Sequence, residues 1–108
     1  MYERSRNILD CHIAGFTYYD GLDVIEELKQ GTPVMLHAEP ENPYDSEAVA
    51  IYYKDTKLGY VPQAKNSFVS NLLYFGYGDI VEAKINCNNP QANTENQFRV
   101  VIKIKDNR

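Results

Sequence analysis

Apolar and polar residues alternate at every second position in several stretches of the chain, which is the pattern of β-strands that bury one face. In the first stretch, ILDCHIAGF, the residues Leu9, Cys11 and Ile13 share one face. Five further stretches are apolar or alternating: TPVMLHAE, EAVAIYY, KLGYVP, DIVEAKINC and QFRVVIKIK. The pattern therefore predicts six strands.

Two other segments have apolar residues at the spacing of a helix. The first is DGLDVIEELKQG, with acidic residues early, a lysine late and a glycine at the C-cap position. The second is QAKNSFVSNLLYFG, which carries an apolar stripe and also ends at a glycine. We predict α-helices at about Leu22–Gln30 and Ala64–Phe75.

The predicted order of elements is β-α-β-β-β-α-β-β within 108 residues. That length is enough for one hydrophobic core, and no linker rich in proline, glycine or serine divides it. We therefore expect residues 1–108 to form a single domain. A sheet that must hide its apolar face in so short a chain commonly curls on itself. The predicted fold is mainly β, with a small barrel and two α-helices that close an end or a gap.

Composition narrows the class of protein. No apolar run approaches the roughly 20 residues that span a bilayer, and the start, MYERSRNILD, lacks the apolar core of a signal peptide. We expect a cytoplasmic protein. The formal net charge of −4 argues against coating a nucleic acid by bulk electrostatics, which depends on clustered lysine and arginine. This net charge is compatible with a small local binding site.

The sequence contains few motifs that are typical of catalysis or metal binding. Walker-type loops, Gly-x-Ser-x-Gly elbows and paired metal-ligand spacings are missing from the sequence, so we expect a non-enzymatic protein without a metal or other cofactor. The candidate zinc ligands have no suitable spacing: Cys11, His12, His37 and Cys87. Both cysteines lie in strand patterns of a chain expected in the cytoplasm, and we predict two free thiols that face the core.

The stretch ENPYDSE has two interpretations. As a turn, it uses Asn42 to open, Pro43 to preset φ, and Asp45 to accept hydrogen bonds from backbone N–H groups. Turn chemistry does not explain the tyrosines that lie near predicted strand ends or turns: Tyr18, Tyr19, Tyr44, Tyr52, Tyr53 and Tyr60. These rings either cap the core or form a platform on which bases stack.

The segments IAGFTYYDG, GTPVMLHAEPENPYDSEAVAIYY and KLGYVP, followed by an amphipathic helix, closely resemble the HIRAN domain. The resemblance runs from about residue 13 to 76 and extends through the last two strands to about 105. It implies an OB-like barrel, so the full prediction is a small OB-like or SH3-like β-barrel. In eukaryotic relatives the domain stands before a helicase-like translocase of replication forks and captures single-stranded DNA by its 3′ end.

The resemblance also implies a set of DNA-binding residues. Those that match the family's motif are Tyr18, Tyr19, Asn42, Tyr44 and Asp45. Tyr60 and Phe98 fall at ring positions that face the ligand in DNA-binding members.

Two positions depart from the DNA-binding relatives. Thr17 and Gln63 stand where those relatives have basic residues, which removes two partners for phosphate. Lys57 and Lys65 are nearby cations that can substitute. Lys65 is expected in the first turn of the second helix, where backbone N–H groups also favour a phosphate.

Three functions follow from these residues. The first is a binding module for single-stranded DNA ends in repair or replication-fork processing, beside a helicase, nuclease or other DNA-processing protein. In it, Asp45 accepts a hydrogen bond from the terminal 3′-hydroxyl and repels a phosphate. The second is a protein-interaction or regulatory module whose groove receives a peptide or partner loop, which the acidic balance and the missing arginine favour. The third, a metal-dependent nuclease, would use four carboxylates without a basic or histidine partner: Glu39, Glu41, Asp45 and Glu47.

Overall fold

The structure is a computed structural model and describes residues 4–87 and 98–106. Six strands lie in these two ranges, as the alternating pattern predicts. They are β1 (Arg4–His12), β2 (Pro33–Glu39), β3 (Ala48–Tyr53), β4 (Thr56–Tyr60), β5 (Val81–Cys87) and β6 (Phe98–Asp106). The predicted polar loop between the last two strands lies outside the described residues.

The strands form one antiparallel sheet with the order β1-β6-β5-β2-β3-β4. Strand β2 pairs with β5 through Pro33 and Val34, and with β3 over the span from Met35 to Glu39. One strand therefore exchanges its ladder partner along its length, which curls the sheet.

The two edges of the sheet meet at one point without closing a barrel. Ala14, two residues beyond β1, bridges Tyr60 at the end of β4, with N···O distances of 2.8 and 3.0 Å. The chain then turns at Gly15, whose φ is 74°, and the Tyr18 N–H bonds the Gly15 carbonyl at 2.8 Å. Because this turn takes the chain away from β4, no ladder joins β1 to β4 in the described residues. The predicted small β-barrel is therefore not confirmed.

The first predicted α-helix is wrong in type. The segment Asp20–Glu27 is a 3₁₀ helix, and Leu28 is already extended, with its N–H bonded to the Ile25 carbonyl at 3.2 Å. The apolar residues of this segment recur every third position, which suits three residues per turn better than 3.6. A short 3₁₀ turn, Phe16–Tyr18, precedes it.

The second predicted helix is present but shorter. Helix α1 covers Ser67–Tyr74, and a separate 3₁₀ turn, Gln63–Lys65, precedes it. Gly76, at φ 89°, ends the helix in a Schellman motif, in which the Tyr77 N–H bonds the Leu72 carbonyl at 2.8 Å. A further 3₁₀ turn, Gly78–Ile80, leads into β5.

The buried core joins residues of all six strands to residues of the 3₁₀ turn Phe16–Tyr18 and of α1. Cys11 belongs to it, as predicted, and carries a free thiol whose pKa burial raises to about 11. The side chain of Cys87 lies outside the described part of the chain. The larger core residues are Ile13, Phe16, Leu28, Val34, Val49, Ile51, Leu58, Val61, Val69, Ile85, Phe98, Val100 and Ile102.

Candidate ligand-binding cleft

A cleft of about 380 Å³ opens where the turn between β2 and β3 faces the end of β4 and the start of α1. Its lining is mixed polar and aromatic: Ala14, Tyr19, Asn42, Pro43, Tyr44, Asp45, Ala48, Tyr60, Val61, Gln63 and Asn66. These residues come from three separate segments of the chain, 14–19, 42–48 and 60–66. The fold, and not one local motif, therefore builds the cleft.

Local hydrogen bonds fix the turn that forms one wall. The Asn42 Oδ1 accepts from the backbone N–H groups of Tyr44 at 2.9 Å and Asp45 at 3.2 Å. The Asp45 Oδ1 accepts from the Glu47 N–H at 2.9 Å. This is the turn chemistry that the sequence predicts for Asn42 and Asp45. It leaves the Tyr44 ring 92% exposed at the rim of the cleft.

Asp45 is also fixed from the opposite wall. The Asn66 amide Nδ2 donates to the Asp45 Oδ2 at 2.8 Å, and the Asn66 residue is only 2% exposed. Asn66 stands at the N-cap position of α1, but its side chain makes no capping bond there. Each Asp45 oxygen thus has one donor and keeps capacity to accept a second hydrogen bond.

A polar cluster, Glu39, Asn42, Lys57 and Tyr60, lies behind the cleft. Glu39 Oε1 accepts from the Tyr60 hydroxyl at 2.8 Å and from the Asn42 Nδ2 at 3.1 Å. Glu39 Oε2 pairs with the Lys57 ammonium at 3.2 Å, and the same ammonium donates to the Tyr60 hydroxyl at 2.6 Å. One carboxylate therefore holds two residues that line the cleft.

The cluster also shifts the pKa values of its members. Burial raises the pKa of Glu39, but hydrogen bonds from Tyr60, Asn42 and Lys57 outweigh it and hold that pKa below the usual value. Burial lowers the pKa of Lys57, but hydrogen bonds with Tyr60 and Glu39 raise it overall. Burial, together with the Glu39 carboxylate, raises the pKa of Tyr60 against the opposing effect of Lys57. At neutral pH the cluster therefore holds one anion, one cation and a neutral phenol.

Two tyrosine rings meet beside this cluster. The Tyr19 and Tyr60 rings pack edge to face with centroids 5.7 Å apart. The Lys57 ammonium lies 4.5 Å from the Tyr60 ring centroid and 5.2 Å from the Tyr19 centroid. Such cation–π contacts hold both rings against the cation and present them to the cleft.

The contact between β4 and the end of β1 brings Tyr19 to this place. A Cβ atom on Gly59 would lie 2.5 Å from the Ala14 carbonyl oxygen, and Gly59 has a φ of 151°. Only glycine allows the two backbones to approach so closely with this conformation. The glycine of the KLGYVP stretch thus closes one side of the cleft.

The structure brings most of the predicted site residues together and leaves others elsewhere. The predicted residues that line the cleft are Tyr19, Asn42, Tyr44, Asp45, Tyr60 and Gln63. Tyr18 is 84% exposed and Lys65 is exposed in the 3₁₀ turn before α1, and neither lines the cleft. Thr17 belongs to the turn Phe16–Tyr18, and its side chain lies outside what is described.

Phe98 is not brought to the cleft. It is 4% exposed, and its ring packs on Phe16 with centroids 5.6 Å apart. The alternation of β6 places Phe98 on the same face as Val100 and Ile102, which are also buried. The structure therefore assigns it to the core, where it supports the turn that carries Tyr19.

Two features of the cleft are not predicted from the sequence: the role of Asn66 and the supporting role of Glu39. The sequence points to Glu39 only as one of four carboxylates for a metal. Within residues 4–87 and 98–106, no three histidine, cysteine or acidic side chains are grouped so as to hold a metal ion. In the same ranges, no helix is long and apolar enough to cross a membrane.

The protein is a small β domain built on one curled antiparallel sheet. Its open polar and aromatic cleft has one wall made by an Asn-Pro-Tyr-Asp turn. The family model of the HIRAN domain matches residues 7–105, and the chain belongs to that family. A search of curated proteins finds no match.

Two solved structures are similar to the chain. A crystal structure of a protein from Lactobacillus plantarum has a TM-score of 0.77 at 18% identity, covering 98% of this chain and all of that one. The crystal structure of the HIRAN domain of human HLTF has a TM-score of 0.66 at 18% identity, covering 94% of this chain and 74% of that one. At this identity the two structures support the fold.

Proposed function

We propose that this chain is a non-enzymatic binding domain for single-stranded DNA that receives the 3′-hydroxyl end in the cleft. The proposal rests on membership of the HIRAN family, which is known for DNA binding, and on the geometry of the cleft. The observation that carries it is the position of Asp45: a carboxylate with remaining acceptor capacity stands beside exposed tyrosine rings.

Hydroxyl recognition follows from the charge of Asp45. A carboxylate only accepts hydrogen bonds, so a free 3′-hydroxyl satisfies it, whereas a terminal or internal phosphate brings a second negative charge. The partners Glu47 and Asn66 hold the two carboxylate oxygens in place. In this proposal, the end of the strand is selected by repulsion of phosphate as well as by attraction of hydroxyl.

Stacking supplies the second contribution to binding. Tyr19, Tyr44 and Tyr60 line the cleft, and Tyr44 is almost fully exposed. A base stacked on an aromatic side chain contributes roughly 1–3 kcal/mol. Two such contacts compensate for weak attraction of phosphates by a chain of net charge −4. The domain would then work beside a DNA-processing protein such as a helicase or nuclease, in repair or replication-fork processing.

Fluorescence anisotropy tests the proposal directly. The wild-type protein is titrated into labelled oligonucleotides of one sequence that carry either a 3′-hydroxyl or a 3′-phosphate. Tighter binding to the hydroxyl end is expected, by roughly tenfold or more. Equal affinities would contradict end capture, and a lack of binding to both would contradict DNA binding.

A protein-interaction module is the second candidate, and one observation favours it. No lysine or arginine is among the described residues that line the cleft, and Gln63 lines it where DNA-binding relatives have a basic residue. An open aromatic cleft without a cation also suits an extended peptide or a partner's loop. If neither oligonucleotide binds, retention of a partner through the cleft, lost on Tyr44→Ala, would support this candidate.

A further inference from the structure

The cluster behind the cleft contains a cation whose charge is cancelled within the protein. The Lys57 ammonium pairs with Glu39 Oε2 at 3.2 Å, and both side chains are about one quarter exposed. The ammonium also bonds the Tyr60 hydroxyl, which belongs to a lining residue. Lys57 is thus close enough to the cleft to attract a phosphate, but it is already paired with an anion.

This pairing determines the net charge that a ligand meets. Asp45 is the one charged side chain among the described residues that line the cleft. With Lys57 and Glu39 both ionised, the cluster is neutral overall, so the Asp45 charge is not opposed. Without the Glu39 charge, the Lys57 cation would offset Asp45 from behind the Tyr19 and Tyr60 rings, which it contacts at 5.2 and 4.5 Å.

We propose that Glu39 is a specificity-determining residue, which cancels the charge of Lys57 and so preserves the preference of the cleft for a hydroxyl over a phosphate. This inference rests on the proposed binding of DNA ends. It differs from the prediction made from sequence, in which Lys57 replaces a missing phosphate partner. Here Lys57 is a positioning residue for Tyr60, and Glu39 cancels the positive charge of Lys57 so that it does not act on the ligand.

Three variants change the net charge of this cluster in steps. Glu39→Gln leaves the Lys57 cation without its anion, Lys57→Gln leaves the Glu39 anion without its cation, and the double variant is neutral like the wild type. At position 39, glutamine retains the length of the glutamate side chain and can still accept from Asn42 or Tyr60. At position 57, glutamine is one bond shorter than lysine but still carries a donor. The three variants therefore vary charge while the shape of the cluster changes little.

The measurement is the affinity for the 3′-hydroxyl and 3′-phosphate oligonucleotides across a range of salt concentrations. For Glu39→Gln we expect tighter binding at low salt, by roughly threefold to tenfold, and a smaller preference for the hydroxyl end. The slope of log affinity against log salt should steepen by about 0.7, the value for one additional phosphate neutralised on a single strand. Lys57→Gln should shift affinity and end preference in the opposite direction.

The double variant and a distant variant complete the test. The double variant should return the salt slope and the end preference to wild-type values. Glu82→Gln makes the same change of net charge at a glutamate that pairs with Lys84 away from the cleft, and it should leave both unchanged. Thermal melting confirms that each variant is folded.

Each result either supports or overturns the inference. If Glu39 acts only through structure, all three cluster variants will lower stability, while the salt slope and the end preference stay at wild-type values. Failure of the double variant to restore the wild-type values would also overturn it. If the wild type binds neither oligonucleotide, the proposed function fails and this inference fails with it. If the wild type binds and the Glu39→Gln variant behaves identically, only this inference fails.

Discussion

At the scale of single residues, the cleft depends on a buried amide and a carboxylate that lie on different segments. The Asn66 Nδ2 donates to the Asp45 Oδ2 at 2.8 Å, and Asn66 is buried. Asn66→Ala removes this donor and leaves the carboxylate oxygen without it, so the free energy of unfolding should fall by about 1–3 kcal/mol. Urea denaturation measures the change.

Asn71→Ala is the matched control, because Asn71 lies exposed in the same helix. Alanine favours a helix more than asparagine, so this control should change the stability by less than about 0.5 kcal/mol. Equal losses for the two variants would contradict a specific role for the Asn66 amide.

The residue scale also shows what the sequence could predict. The turn roles of Asn42 and Asp45 were predicted because their partners lie two or three residues away. Glu39 has one local partner, Asn42, but its partners Lys57 and Tyr60 lie 18 and 21 residues away, as Asp45 does from Asn66. Only the fold brings these distant partners together. Phe98 was expected at the ligand, but the alternation of its own strand places it in the core. Local chemistry is thus readable from sequence, whereas contacts across segments are not.

At the scale of elements, the site depends on the close approach of β4 to the end of β1. Gly59 has a φ of 151°, and an added Cβ would lie 2.5 Å from the Ala14 carbonyl oxygen. Gly59→Ala should therefore lower the free energy of unfolding by about 3 kcal/mol or more, from backbone strain and a clash with rigid backbone. It should also weaken ligand binding, because Tyr19 follows the segment that is displaced.

Gly76→Ala separates strain from clash. Gly76 has a φ of 89°, but an added Cβ would meet nothing within 4 Å, so the expected loss is about 1 kcal/mol. Chemical denaturation of both variants gives the comparison. If the Gly59 variant loses no more stability than the Gly76 variant, the close approach is not what holds β4 to β1.

The six strands were predicted correctly and the type of the first helix was not, for a physical reason. Six strands follow from period-two alternation and its β-branched residues. The spacing of three that indicated an α-helix at residues 22–30 fits a 3₁₀ helix as well, and the segment Asp20–Glu27 adopts the latter. Closure into a barrel depends on the path of the chain after Gly15, which no periodicity reveals.

At the scale of the whole molecule, the charged cluster makes stability depend on pH. The folded protein holds the pKa of Glu39 below the ordinary value of about 4.3. The contribution of Glu39 is therefore present above that ordinary value and is lost as pH falls through the folded pKa, because the unfolded chain binds the proton first. Between pH 7 and pH 3, Glu39→Gln should lose less stability than the wild type.

Urea denaturation at several pH values between 3 and 7 measures this difference. The wild-type and Glu39→Gln curves should converge toward the acid end. Curves that stay parallel over the whole range would show that the ionised form of Glu39 adds nothing to the stability of the fold.

The charge of the whole molecule also determines how it can bind DNA. A net charge of −4 gives no general attraction for phosphates, so under the proposed function affinity comes from the cleft, through stacking and recognition of the end. Asp45 is the residue on which this account depends, and Asp45→Asn removes its charge while the shape is retained. Asp55→Asn makes the same change in the exposed turn between β3 and β4 and serves as the control.

The most direct measurement is the ratio of affinities for the 3′-hydroxyl and 3′-phosphate oligonucleotides, determined by anisotropy for the wild type and these two variants. We predict a ratio of roughly tenfold or more in favour of the hydroxyl for the wild type and Asp55→Asn. For Asp45→Asn, the ratio should fall to within about twofold, because the repulsion of phosphate is gone. A wild-type ratio near one, or an Asp45→Asn variant that keeps the wild-type preference, would contradict the account.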